Sequence, residues 1–407
     1  MYANDRSINK LTLFEILLVF LIIVATLFQM SNIVSICFYL SFAVEFLLLY
    51  YVLKYNNGKN DISLVLLIII MLFSLINISV NGIVCQATII SFEYYKKWIM
   101  FNSTLVLFYL ARYISLSRKQ LKLITLLSIV CSCLYGIAFL RFPELTYIFR
   151  GVLNYDYITF GFSNPNQTGL FLLALCIICV NGVFIFEKAI FKVLSIASSG
   201  ICVYFIIFSK ARNSLIALLL VVALVIFFII NEKKSISKHV IVFSIVYPMI
   251  FSIVYMLLID NEKVQEIFSF LISSGKGLDS RLNEWDELFK LASSNLIFGA
   301  YSTMSNGTGV SQGLNTFVDV LTSYGFVVYI LFLCLLYQCI MVVNRDGNRI
   351  SSIILYGFLG LLFAGAGEAA MFSGGTGFSI FAFELLVTVN SIKRLVLQRR
   401  IKLCVPR

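Results

Sequence analysis

The sequence predicts an all-α polytopic integral membrane protein, and three observations carry that reading. Of 407 residues, 60% are hydrophobic and only 13% carry charge, about half the charged share of an ordinary soluble domain. The mean hydropathy is +0.96. A soluble core cannot enclose so much apolar surface, whereas hydrocarbon accepts it. The apolar residues also fall into runs close to the roughly 20 that a helix needs to cross a bilayer. Length alone would suggest about two or three domains. Lipid-spanning runs instead predict a single membrane domain over 1–407.

Twelve spans are expected, at 11–30, 33–53, 62–80, 98–116, 121–140, 164–186, 192–208, 211–230, 238–259, 314–343, 350–372 and 376–396. The run after Arg6 and Lys10 is too long for the core of a signal peptide and is expected to remain as the first span. An even number of spans puts both termini on one side. Basic residues assign that side to the cytoplasm of a cell membrane. Arg118, Lys119, Lys122, Lys188, Lys192, Arg345, Arg349, Lys393 and Arg394 all fall in loops or tails expected there. The net charge of +11 therefore reads as a topological signal. No basic stripe on a soluble surface points to nucleic acid.

The positive charges expected outside are exceptions to that rule, and function is sought among them first. They include Lys96, Lys97, Arg141, Arg150, Lys210, Arg212, Arg281 and Lys290. One outer loop, 260–313, is too long for a simple connector. Within it Leu282, Trp285, Phe289 and Ala292 recur at spacings of three and four, which predicts a short amphipathic helix from Asp279 to Ala292.

Most of the ten cysteines sit inside apolar runs and read as small buried hydrophobes rather than a disulfide framework. The Cys176–Cys179 spacing has no second pair and no histidine beside it. There is no Asp-x-Asp pair, Walker loop or HExxH motif, so no metal and no cofactor is expected. His239, the single histidine, falls in an expected cytoplasmic loop. Glu15, Glu45 and Glu384 fall within spans, where interhelical pairing and proton coupling are the alternatives.

Three outer segments share a chemical theme. In Gly161–Gly169, Asn164 suits a helix N-cap and Pro165 the first helical position, with Asn166 just behind. Free N–H groups and the positive dipole end would face an anion there; an ordinary capped span is the plain alternative. Ser209–Ser214 opens another helix of the same direction and adds Lys210 and Arg212, cations that a bound anion would neutralise. Snorkelling to the lipid interface is the alternative. Arg281 and Trp285 stand four apart on one helix face with Glu284 beside them. A guanidinium forks onto phosphate oxygens, and an indole can stack on a sugar; a loop helix resting on the bilayer is the alternative.

Together these segments resemble the O-antigen polymerase and ligase family of bacterial membrane glycosyltransferases. The resemblance rests on Phe162–Gly169, on Ser209–Arg212, and on Arg281 and Trp285 followed by Phe298-Gly299 and Asn315. It spans roughly residues 160–345 in order. It implies a metal-independent transfer of oligosaccharide from undecaprenyl diphosphate on the outer leaflet. A chain-length regulator and a flippase are candidate partners, and capsule or O-antigen the candidate product. Family ligases carry a histidine just before the asparagine matched to Asn315. Leu314 stands there instead, which favours a polymerase over a ligase.

In this reading Arg212 and Arg281, with Lys210 and Arg150, would hold the diphosphate. Asn164 and Asn166 would position it, and Trp285 and Asn315 would complete the substrate site. The general base stays open among Glu284, Asp279, Asp319 and Glu368. A ligase and a lipid-linked oligosaccharide flippase are the rival functions.

Overall fold

The computed structural model describes residues 45, 47, 49–50, 52–53, 61–84, 92–149, 152–153, 155, 158–160, 165–232, 235–258, 287–288, 290–291, 293–301, 315–345, 347–366 and 376–404. The chain is an α-helical membrane protein. Ten long helices are described: α1 Ile62–Val84, α2 Phe92–Leu110, α3 Arg118–Arg141, α5 Pro165–Ile185, α6 Ala189–Phe208, α7 Arg212–Ile230, α8 Lys238–Leu258, α9 Thr316–Asn344, α10 Arg349–Ala364 and α11 Thr376–Cys404. A single-turn helix, α4 (Pro143–Thr146), follows α3. After it β1 (Ile148–Phe149) and β2 (Val152–Leu153) form a two-residue antiparallel ladder.

Six of the helices are long and apolar enough to cross a membrane: α1, α3, α5, α6, α7 and α9. Helix α5 is the central one, with 83% of its apolar window buried against 22% for α7. The peripheral helices leave apolar rows uncovered, such as Val65, Ile68, Leu72 and Ile76 on α1 and Leu219, Val222, Ile226 and Ile230 on α7. In water such faces would aggregate; hydrocarbon covers them without cost.

Hydrogen bonds fix which helix ends meet. At one end of the bundle Arg118 at the start of α3 donates to Ile185 O at the end of α5 (3.3 Å). Arg349 at the start of α10 donates to Ile229 O at the end of α7 (2.9 Å). Lys393 of α11 donates to Arg345 O just past α9 (2.6 Å). Asn344 and Ile236 exchange bonds in both directions. This end is rich in Lys and Arg, and we call it the basic end. At the opposite end Thr316 N, opening α9, donates to Gly365 O beyond α10 (3.0 Å).

Helix boundaries follow local chemistry where caps exist. Ser117 and Gln120 form a reciprocal capping box at the start of α3, and Asn348 and Ser351 do the same for α10. One boundary departs from expectation. The span expected at 98–116 is shifted: α2 starts at Phe92 and ends at Leu110. The α2–α3 turn takes the chain out of the helix because α11 supplies replacement partners. Asn390 Nδ2 donates to Ile114 O (2.8 Å) and Ser391 Oγ accepts from Leu116 N (2.7 Å). Two further boundaries move: α10 stops at Ala364, where 350–372 was expected, and α11 runs on to Cys404. In the expected spans 11–30 and 33–53, only residues 45, 47, 49–50, 52 and 53 are described, and they are helical.

The turn after α2 also carries a charged latch. Arg112 pairs with Asp61 at the start of α1 (3.1 Å), and the Tyr113 hydroxyl donates to the same carboxylate. The guanidinium lies 5.6 Å and 5.5 Å from the Tyr109 and Tyr113 ring centroids, within cation–π range. Burial alone would raise the Asp61 carboxyl. The Tyr113 hydroxyl and the Arg112 charge outweigh that and hold it below the ordinary aspartate value of 3.8.

A depressed carboxylate favours the folded state above its unfolded value and loses that contribution as pH falls through its folded value. The solubilised protein is therefore expected to lose thermal stability as pH drops below about 3.8, and Asp61→Asn to weaken that dependence. A pH series of unfolding temperatures checks this. Close packing gives a second expectation. A side chain at Gly169 of α5 would overlap Ala211 and Ser214, so Gly169→Val is expected to cost about 1–3 kcal/mol, read as a lowered unfolding temperature in detergent.

Candidate functional site

Two polar assemblies lie at the end of the bundle opposite the basic end. The first joins the starts of α5 and α7. Helix α5 begins at Pro165, as the Asn-Pro pair predicts. Thr168 Oγ1 donates to Thr159 O (2.9 Å), and Thr159 N and Phe160 N both donate to Thr146 O (2.9 and 3.1 Å). Thr146 in turn bonds Ala138 O and Phe142 O of the α3 end (both 3.1 Å). This chain of threonines ties the start of α5 to the end of α3.

Because Gly169 has no side chain, the start of α7 packs directly on α5, with Ala211 and Ser214 against the glycine. Two of the sequence segments singled out above thus meet in space. Ala211 caps α7 without a side-chain hydrogen bond, so residue type does not close that N-terminus. Lys210 is exposed and takes a left-handed backbone (φ 57°), a conformation that glycine usually supplies after a helix. The dipole penalty expected for Lys210 is offset. The turn that precedes α7 also follows α6, whose last carbonyls favour a cation.

The second assembly surrounds a break in α9. Asn315 caps that helix through Phe317 N (2.8 Å) and Val318 N (3.2 Å). Its amide nitrogen reaches across to α8, donating to Pro248 O (2.7 Å) and Ser252 Oγ (2.5 Å). Asn315 is fully buried and its side chain bridges two helices.

One turn on, Asp319 pairs with Lys97 of α2 (2.8 Å), and Lys97 also reaches Ser323 Oγ (3.1 Å). The side chains are 2% and 19% exposed. Charges so far from water are costly unless paired, and in membrane spans they mark working sites.

At Gly325 the backbone leaves helical geometry (φ 83°). The returning segment 295–301 fills the gap. Ala300 N donates to Thr322 O (2.6 Å), and Phe326 N to Leu296 O (2.7 Å). Asn77 of α1 donates to Tyr324 O (2.6 Å) and Ile297 O (3.3 Å), and Asn81 to Gly299 O. Gly299 also has positive φ (72°), and a Cβ there would strike the Ser323 carbonyl. Tyr301 and Trp98 complete the wall: the Tyr301 hydroxyl accepts from Trp98 N (3.3 Å), and Trp98 Nε1 donates to Ser74 Oγ (2.8 Å).

The two assemblies are linked through α10. Its Gly357 and Gly360 pack on Ile177 of α5 and Val221 of α7, and its end at Gly365 accepts from Thr316 of α9.

Several expected site residues, namely Arg150, Asn164, Asp279, Arg281, Glu284, Trp285 and Glu368, lie outside the described residues. Arg212 opens α7 and Asn166 lies in the first turn of α5, at the junction of the two helices. Of the carboxylate candidates Asp319 is described, and it is held by Lys97. Lys97 appeared among the outer charges but had no assigned partner. Asn77 and Asn81 were missed; two amides one turn apart in an apolar span were the available signal. Within the spans, buried Glu45 accepts from Ser103. Buried Glu384 keeps one carboxylate oxygen without a partner among the described residues. No group of His, Cys, Asp and Glu able to hold a metal occurs among the described residues. No family model, curated protein or solved structure matches the chain.

The Lys97–Asp319 pair is open to a direct test. Lys97→Met leaves a buried carboxylate unpaired and is expected to cost about 3–5 kcal/mol. The double variant Lys97→Met, Asp319→Leu is expected to recover most of that, as measured by unfolding of the purified protein.

Proposed function

We propose that the chain is a membrane glycan polymerase, joining oligosaccharide repeat units carried on undecaprenyl diphosphate at the outer face of the cytoplasmic membrane. In this reading the full chain crosses twelve times, both termini and the basic end face the cytoplasm, and 260–313 forms a long outer loop. The observation that carries it is the meeting of the α5 and α7 starts. The positive dipole ends of two helices come together beside Lys210 and the first residue of α7, Arg212. Such an arrangement suits the diphosphate of a lipid-linked donor. The resemblance of 162–169 and 209–212 to the O-antigen polymerase and ligase family points the same way.

Here Arg212, Lys210 and Arg281 bind the diphosphate and stabilise the charge that grows as the anomeric C–O bond breaks. A carboxylate removes the acceptor hydroxyl proton. With Asp319 held by Lys97, Glu284 and Glu368 are the stronger candidates for that step.

A second reading, a flippase for the same lipid-linked sugar, draws on the broken helix α9 and its buried charge pair, since discontinuous helices line transport sites. Analysis of lipid-linked sugars in a deletion strain separates the two. Single repeat units exposed outside are expected for a polymerase; units trapped inside would point to transport. Arg212→Ala is expected to reproduce the deletion with the protein still inserted. Lys210→Gly relieves the left-handed strain at that position, so it is expected to keep or raise stability while shortening the glycan. Normal chain lengths in both variants would remove the assignment.

A further inference from the structure

A cleft of about 100 Å³ opens at the basic end, between α3, α5, α10 and α11. Its floor is apolar: Leu121 of α3, Ile185 of α5, Ile350 of α10, and Ile392 and Val396 of α11. Among the described residues, the one charged residue in its lining is Arg118. That guanidinium is anchored on two sides, by Ile185 O (3.3 Å) and by an ion pair with Glu187. Lys122, one turn further along α3, lies 4.0 Å from the same carboxylate. Lys119, Lys188 and Lys192 follow in the adjoining sequence, so the positive charge around the mouth exceeds the single acid that it meets.

Three of the four elements lining the cleft do so near their ends at this side of the bundle: α3 and α10 with their first turns, α5 with its last residues; α11 passes along it through Ile392 and Val396. An apolar slot at that depth, with a fixed cation at its mouth, matches an amphiphile with an anionic head and a hydrocarbon tail.

We propose that this cleft binds one anionic phospholipid, with the start of an acyl chain on the Leu121–Val396 floor and its phosphate on Arg118 and Lys122. The charge at the mouth selects this occupant over a neutral lipid. The apolar floor selects it over free phosphate, which gains nothing from the slot. The bound lipid would brace α3 and α5 against α10 and α11. The site is at the opposite end of the bundle from the α5–α7 junction and does not depend on the function proposed there.

The test is native mass spectrometry of the full chain, released from micelles containing phosphatidylglycerol, phosphatidylcholine or a polyprenyl phosphate. One phosphatidylglycerol retained per chain, in preference to phosphatidylcholine, is the expected result. Arg118→Gln is expected to weaken retention about fivefold. Val396→Trp fills the cleft and leaves every charge in place, so it is expected to abolish the adduct even if the arginine variant proves too unstable to purify. Equal retention of phosphatidylcholine, retention of the polyprenyl phosphate alone, or an adduct that survives Val396→Trp would each overturn the proposal.

Discussion

The carbonyls that a helix leaves unpaired at its last turn are a liability in a membrane, where water is scarce and each orphan is expensive. Here neighbouring cations supply the missing donors. Arg118 covers the end of α5, Arg349 the end of α7, and Lys393 the end of α9. Each bond joins helices that are not consecutive in the chain, so the same contacts that satisfy the backbone also set which helices are neighbours. A cation beside a helix C-terminus gains from the dipole as well. The basic residues that the sequence offers as a topological signal are thus also the fasteners of the bundle. Positive charge at this end serves orientation and packing together.

The other end solves the same problem differently. Breaking α9 at Gly325 releases backbone groups that an unbroken helix would pair internally. The 295–301 segment and the amide of Asn77 take them up, while Asn77 and Asn81 also hold the inserted segment through Ile297 O and Gly299 O. Irregular backbone at membrane depth is tolerated where protein encloses it, and α1, α2 and the returning segment provide that enclosure. The break does more than accommodate a bend. It places Asp319 and Ser323 just before the interruption, facing Lys97, so a charge pair sits where the helix is least regular.

Much of this was legible in the sequence, and the parts that were not have a common cause. Apolar runs located most helices because span length and composition are local properties. The start of α5 at Pro165 was read from an Asn-Pro pair for the same reason. The early end of α2 was not, since Asn390 and Ser391 draw the backbone away from the helix across almost the whole chain. The break in α9 was equally hidden. Gly325 in an apolar run looks like a tolerated residue until Gly299 is placed against it. Asn315 was read from motif position, and its bonds to α8 were out of reach of that reading because they join residues far apart in the chain.

Lys210 is where the local and the long-range arguments meet. Its left-handed backbone is what a glycine would adopt freely, and a lysine there carries a strain of roughly 1 kcal/mol or more. The helix dipoles do not repay this, because the end of α6 and the start of α7 act on the same charge with opposite sign. Packing of the turn itself is secured by Ala211 and Ser214 against Gly169, without any need for an ammonium group. Lys210 is nonetheless engaged within the fold, so its strain by itself marks no vacant site. It stands beside the starts of α5 and α7, where the positive ends of two helix dipoles meet. The strain at Lys210 is therefore borne within a turn whose place beside the two helix starts is set by the Gly169 contact, and the proposed anion site draws on that placement and not on a cation left over by the fold.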